Sequence, residues 1–411
     1  MPAPAPDFRP ALRRRLRLDP APDGSDAVVL HDPTRVAPHP VVLTGPAVAL
    51  LRLFDGRNTL ADLRRAVAPA GLAADQLDQF VAALDDALFL DSPTLRAYLT
   101  GPVRRPACLP VYGHTPDAVR RAADPLFTAP GGPGRPAPGS YAGPRLRAVL
   151  VPHMDFGRGG VTYGWGFKEL SEKADAEVFV IVGTSHYSPH RFTLTRQHFF
   201  TPLGTAETDQ AYIDRLAAEY GDGLFDDPHA HFPEHSIELE VVLLQHVLGD
   251  RSFTVVPLLV GSFHDRVAGQ ADPAAAADIA RMVAALRAAE AADGRRVCYV
   301  ISGDLAHIGP KFHHPQAGPR FHSDRPVAEP WLGESRRRDE HLLGRLADAD
   351  PAGYFDAIAA EGDERNVCGL PPTWLTLAAV RPSAGRVLHY GRYVHPDGYE
   401  SVSFAAAAFY E

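Results

Sequence analysis

The stretch Leu146-Arg147-Ala148-Val149-Leu150-Val151-Pro152-His153-Met154-Asp155 decides how this chain is read. A short, largely apolar run closed by proline reads as a strand buried on both faces. Three further runs share that character: Glu177 to Val182, Phe253 to Val260 and Arg296 to Ser302. Helical patterns separate them at Gln210 to Tyr220, Ile237 to Leu248 and Ala274 to Ala292. Strands alternating with helices predict an α/β domain with a mostly parallel sheet covered on both faces.

In such sheets ligands bind beyond the carboxyl ends of the strands. The first strand ends on His153, the second runs through Gly183-Thr184-Ser185-His186, and the strand at 297–302 runs into Gly303-Asp304-Leu305-Ala306-His307. One histidine at a strand end is ordinarily a surface residue. Three at equivalent ends point to a site, and neutral imidazole is the commonest metal ligand among side chains. Cys368, in Asn366-Val367-Cys368-Gly369-Leu370-Pro371-Pro372-Thr373, precedes an apolar helix at Trp374 to Val380. That position predicts a lowered thiol pKa and a soft thiolate ligand. Cys298 falls inside a core strand and reads as a small buried hydrophobe. In Pro233-Glu234-His235-Ser236-Ile237-Glu238, Ser236 is the expected helix cap. His235 and Glu238 would share one face of the first turn, within reach of the site, although Glu238 also suits the helix dipole. His229, His231, His313, His314 and His322 fall in loop-like stretches and read as solvent-exposed.

The whole chain has 411 residues, 45% hydrophobic and 22% charged, with a formal net charge of -9. Such a balance excludes a generally basic nucleic-acid binder. No run approaches membrane-span length and no signal peptide is evident at Met1 to Arg17. Three cysteines make no disulfide framework, so a soluble cytoplasmic protein is expected. Residues 1–100 combine short strands at Val28 to Asp32, Val41 to Leu43 and Leu88 to Leu90 with three short helices. Gly56 ends the first helix, Thr59 caps the second, and the third follows Ala74. This predicts a small winged-helix-like α+β domain. Residues 101–145, dense in Pro and Gly, read as a linker with few regular elements and place Cys108 in it.

Two resemblances follow. The Phe54-Asp55-Gly56-Arg57 turn and its following helix resemble the PqqD-like domains that hold leader peptides. More specifically, Val151-Pro152-His153, Gly183-Thr184-Ser185-His186, Glu234-His235-Ser236-Ile237-Glu238, Val256 to Gly261, Ser302 to His307 and Cys368-Gly369 occur in the order seen in MEMO proteins. Bacterial members of that family are called AmmeMemoRadiSam system protein B. The resemblance spans residues 146–411 and implies a three-layer αβα fold like class III extradiol dioxygenases. It implies His153, His186 and Cys368 as ligands of one metal ion, iron as first choice and copper as the alternative. Asp304 and His307 would line the same pocket with His235 nearby, the histidines moving protons and Asp304 orienting them or the substrate. One departure stands out: Met154-Asp155-Phe156-Gly157-Arg158 replaces the usual Ala-Gly after the first histidine, which changes the charge at the pocket mouth.

Three functions are compatible with these residues. The first is a non-haem metal redox enzyme acting on a small molecule or peptide. The second is a ring-cleaving extradiol-type dioxygenase, its carboxylate ligand being Glu238 or Asp304 in place of Cys368. The third is a non-enzymatic scaffold that binds a protein or peptide through the N-terminal module. Zinc hydrolysis with a His/His/Cys set ranks below them.

Overall fold

The computed structural model describes residues 5–22, 24–34, 36–37, 39–137, 143–312 and 329–411. His313, His314 and His322 lie outside the described residues. The chain forms two compact units, Met1–Pro102 and Val103–Glu411.

In the first unit, β1 (Arg17–Pro20), β2 (Val28–His31) and β3 (Val41–Leu43) form an antiparallel sheet in that order. Four helices follow: α1 (Gly45–Leu51), α2 (Leu60–Val67), α3 (Ala74–Asp86) and α4 (Pro93–Leu99). The Thr59 hydroxyl accepts the Asp62 N–H while the Asp62 carboxylate accepts the Thr59 N–H, a reciprocal cap that starts α2. Helix α1 stops at Leu51, and the turn beyond it uses Gly56 at φ +77°. Leu60, Leu63 and Val67 of α2 and Leu77, Val81 and Leu84 of α3 are buried at helical spacing. The expected strand at Leu88 to Leu90 shrinks to a single bridge from Leu90 to Leu12. Leu88 takes a φ of +64°, which no regular strand tolerates.

The second unit begins earlier than expected. Residues read as linker carry β4 (Val103–Arg104), α5 (Leu109–Tyr112) and α6 (Pro116–Thr128). Pro110 and Pro116 occupy first-turn positions, where no helical N–H is needed. Cys108 is buried at the start of α5. Next come β5 (Leu146–Val151), α7 (Phe156–Gly159), α8 (Val161–Lys173), β6 (Val178–Thr184), β7 (Phe192–Leu194), β8 (His198–Thr201), β9 (Gly204–Ala206), α9 (Gln210–Tyr220), α10 (His235–Leu248) and β10 (Thr254–Val260). They are followed by α11 (His264–Ala268), α12 (Ala277–Asp293), β11 (Val297–Ser302), β12 (His307–Ile308), α13 (Glu329–Ala347), α14 (Pro351–Ala360), α15 (Leu370–Val380), β13 (Ala384–Val394) and β14 (Ser401–Tyr410).

The main sheet is mixed. Strands β5, β11, β6 and β10 are parallel neighbours in that order, flanked by antiparallel β14 on one side and β7 on the other. Alternate residues of each strand feed different cores. Val178, Val180 and Val182 pack towards the side of α9, α12 and α15, while Phe179 and Ile181 pack towards α6, α8 and α10. Because β11 is inserted between β5 and β6, its end arrives between the ends that carry His153 and His186.

Two glycine positions set the close approaches at this edge. A Cβ on Gly183 would lie 2.7 Å from Ser236 Oγ, so glycine lets the start of α10 sit against β6. A Cβ on Gly303 would lie 2.5 Å from Gly369 Cα, so this pair brings the Cys368 loop onto the end of β11. Among the described residues no helix is long and apolar enough to cross a membrane.

Candidate metal centre

His153, His186, His235, Asp304, His307 and Cys368 all line one cavity of about 410 Å³ at the carboxyl edge of the parallel strands. Their donor atoms fall into two overlapping groups. The ligand atoms of His153, His186 and His235 lie within 4.8 Å of one another, and so do those of His153, Asp304 and Cys368. His153 belongs to both. Its ring sits edge-on to His186 and to His235, each at 5.1 Å, while the His186 and His235 rings stack at 4.7 Å. Cys368 Sγ is 3.3 Å from His153 Nε2, and Asp304 Oδ2 is 3.6 Å from the same nitrogen.

The hydrogen bonds behind the rings assign the tautomers. His153 Nδ1 faces the Ser302 carbonyl at 3.3 Å, His186 Nδ1 faces Glu234 Oε1 at 2.9 Å, and His307 Nδ1 faces the Leu305 and Asn366 carbonyls at 3.1 Å each. These acceptors place the proton on Nδ1, leaving each Nε2 with a lone pair, as metal-ligating histidines require. The donor set therefore fits a metal ion: imidazoles anchored through Nδ1, which a cation would hold in their neutral form, beside a thiol and a carboxyl group.

Charge follows the surroundings. Burial, reinforced by neighbouring histidines, holds His153 far towards its neutral form. Burial also brings His235 and His307 down to about 4. His186 moves the other way: burial opposes its charge, but the Glu234 carboxylate more than offsets this and raises its pKa. Glu234, despite burial, is pulled down to about 2 by His186 and by the N–H groups it accepts. Burial lifts Asp304 to about 7, against the pull of the His153 N–H.

Cys368 departs from expectation. Burial, then the charge of Asp304, pushes its thiol well above the ordinary range. The residue is partly accessible from the cavity yet deeply enclosed by protein. It also precedes Gly369, the N-cap of α15, and so stands outside the first helical turn. A cation beside Sγ, and not the helix terminus, is what would favour thiolate here.

Three further expectations are corrected. Glu238 does not reach the cavity. It is fully buried against Arg104, and it accepts the N–H groups of Ala107 and Cys108 and the Tyr112 hydroxyl. Ser236 does not cap α10; Glu234 does, accepting the His235 and Ser236 N–H groups at 3.0 and 3.2 Å, while Ser236 Oγ donates to the Thr184 carbonyl. His231 is buried, not exposed, and burial drives it down to about 3.

Sequence reasoning missed Glu234, whose acidic side chain immediately before a helix is the one legible sign. It also missed Arg104, which reaches the carbonyls of His231, Phe232 and Glu234 and braces the approach to α10. Glu240 was missed as well. It is fully buried, accepts the Ser302 hydroxyl at 3.0 Å, and is held by burial well above the usual carboxyl range.

A family model described as Memo-like protein matches residues 117–408. A MEMO1 family protein of Methanopyrus kandleri is 29% identical over 306 residues, covering 72% of this chain and 95% of that one. A MEMO1 family protein of Methanobrevibacter smithii is 32% identical over 162 residues, 39% of this chain and 52% of its own. The protein memo-1 homolog of Caenorhabditis elegans is 26% identical over 284 residues, 66% of this chain and 75% of its own.

Proposed function

Since the chain belongs to the Memo-like protein family, we propose that its second unit is a non-haem metal redox enzyme with one iron ion held by His153, His186 and Cys368, copper being the alternative. The observation that carries this reading is the hydrogen-bond pattern the rings share: His153 and His186 each commit Nδ1 to an acceptor and leave Nε2 for the cavity, with Cys368 Sγ against His153 Nε2. A bound iron would supply one-electron chemistry and an open position for substrate or oxygen. The remaining work belongs to the chain. Glu234 orients His186 and fixes the start of α10. His307 and His235 face the cavity as neutral bases able to take or return a proton. Asp304 steadies His153 through its backbone N–H at 3.2 Å. A small molecule or a peptide is the proposed substrate, the first unit is the proposed docking surface for a peptide or protein partner, and the cytoplasm is the proposed location.

A three-histidine set of His153, His186 and His235 is the second reading, favoured by the mutual closeness of their nitrogens. Elemental analysis of protein purified without oxygen separates the readings. About one iron or copper per chain in the wild type, lost in Cys368→Ala and kept in His235→Ala, supports the first. The reverse supports the second. Loss in Asp304→Asn with retention in Cys368→Ala would point to a two-histidine, one-carboxylate dioxygenase, and no metal anywhere would leave a scaffold.

A further inference from the structure

The cavity has a second wall that the metal ligands do not use. Arg158, at the end of α7, and Lys311, just beyond β12, both line it, although they lie far apart in the chain. Glu400 holds both. Its carboxylate accepts from Lys311 Nζ and lies 3.9 Å from Arg158 Nη1, while its own side chain is only 4% exposed. Arg158 Nε donates to Asp155, and the guanidinium lies over the Tyr393 ring at 5.5 Å. These contacts hold the two cationic heads in place. Both side chains stay partly accessible, Arg158 at 34% and Lys311 at 43%, and both line the cavity. Among the described residues no acceptor meets Arg158 Nη2, so donors are left over after Asp155 and Glu400 are served. Met154, Phe312 and Val402 give the same cavity apolar surface. Its volume of about 410 Å³ is that of a small-molecule site.

We infer that this cavity takes a small organic anion, whose carboxylate or phosphate oxygens bind Arg158 and Lys311 while its body lies on Met154, Phe312 and Val402 and its other end faces the histidines. Arginine and lysine held in place by a buried carboxylate are pre-organised, so binding an anion costs little ordering. A guanidinium edge with unused N–H groups matches carboxylate and phosphate oxygens in pairs. Asp155 and Glu400 balance the two cations in the resting cavity, which keeps them from repelling each other before the anion arrives. The inference rests on the proposed metal centre only for which end of the ligand reacts.

The test is a calorimetric titration of the full chain with benzoate, phenyl phosphate and the neutral isostere benzamide. Wild type, Arg158→Gln and Lys311→Gln are each measured stripped of metal and again after loading with one equivalent of zinc, with metal content assayed on the same samples and thermal melts confirming the fold. The expected result is that at least one anion binds the stripped wild type and weakens about tenfold or more in either variant, whereas benzamide binds weakly to all three. Preference for benzoate or for phenyl phosphate assigns the anion as carboxylate or phosphate. Equal binding of benzoate and benzamide, anion binding unchanged in both variants, no anion binding to wild type, or binding seen only in the zinc-loaded protein would each overturn the inference. A protein that retains no metal would sink the metal reading but would leave the stripped-protein titration intact.

Discussion

Replacing Glu234 by glutamine tests whether the buried carboxylate organises the candidate metal centre or merely caps a helix. Glu234 Oε1 accepts from His186 Nδ1 at 2.9 Å and from the His235 and Ser236 N–H groups, while Oε2 accepts the His186 N–H at 2.8 Å. A glutamine can turn its carbonyl oxygen to the first three donors, but its amide group then confronts the His186 N–H, donor against donor. One buried N–H left unsatisfied costs about 1–3 kcal/mol, and the surviving bonds lose their charge assistance, so Glu234→Gln should lose about 2–4 kcal/mol of stability. Metal affinity should fall about 10–100-fold, as it does when the outer partner of a ligating histidine is lost. Guanidinium denaturation of the metal-free protein reads the first effect. A zinc titration against a chromophoric chelator reads the second. A stability loss of the expected size with metal affinity kept within about twofold would refute the orienting role and leave Glu234 as a cap alone.

Other perturbations give separate checks. Gly183→Ala places a Cβ 2.9 Å from Ile237 Cδ1 and 3.1 Å from the Ser236 carbonyl, so α10 must back away; a loss of about 1–3 kcal/mol in a denaturation curve is expected, together with weaker zinc binding. Tyr112→Phe removes the hydroxyl that donates to buried Glu238 and should cost about 1–2 kcal/mol without altering metal content. In the first unit, burial pushes Asp32 up, but hydrogen bonds from Thr34, Arg13 and Ala37 together hold its carboxyl below the usual range. Its folded pKa is the lower one, so its stabilisation is present above the unfolded value and is lost as the pH falls through the folded value. Wild type should therefore lose more stability than Asp32→Asn between about pH 5 and about pH 3, and equal losses would contradict this.

Much of the second unit was legible because buried parallel strands announce themselves as continuous apolar runs. Helix α9 (Gln210–Tyr220) and strand β5 (Leu146–Val151) fall where the sequence reading placed them. The strand-end rule then carried His153, His186 and Asp304 to one edge and one cavity. What failed was whatever depended on partners distant in sequence. Glu238 looks like a free first-turn acid until Arg104 is known to lie against it. Ser236 is a better cap by residue type than Glu234, but its hydroxyl is spent on the Thr184 carbonyl across the gap that Gly183 leaves open. The thiol of Cys368 was misjudged because proximity to a helix in sequence did not reveal burial beside Asp304. Prolines misled from 103 to 128 because density alone does not distinguish a proline that opens a helix from one that breaks it.

The Arg104–Glu238 pair also defines the smallest piece of this protein that can be moved. A shortened chain starting at Leu146, where the main sheet starts, would delete Arg104, the amides of Ala107 and Cys108 and the Tyr112 hydroxyl together. The carboxylate of Glu238 would then be stranded inside α10 with no cation. Breaking a buried pair from one side costs roughly 3–5 kcal/mol, a large share of the roughly 5–15 kcal/mol that holds a typical protein folded. Transplanting the second unit into another protein, or expressing it alone, therefore means carrying the segment from Val103 onward. The portable boundary is set by electroneutrality, and the first long strand is a poor guide to it.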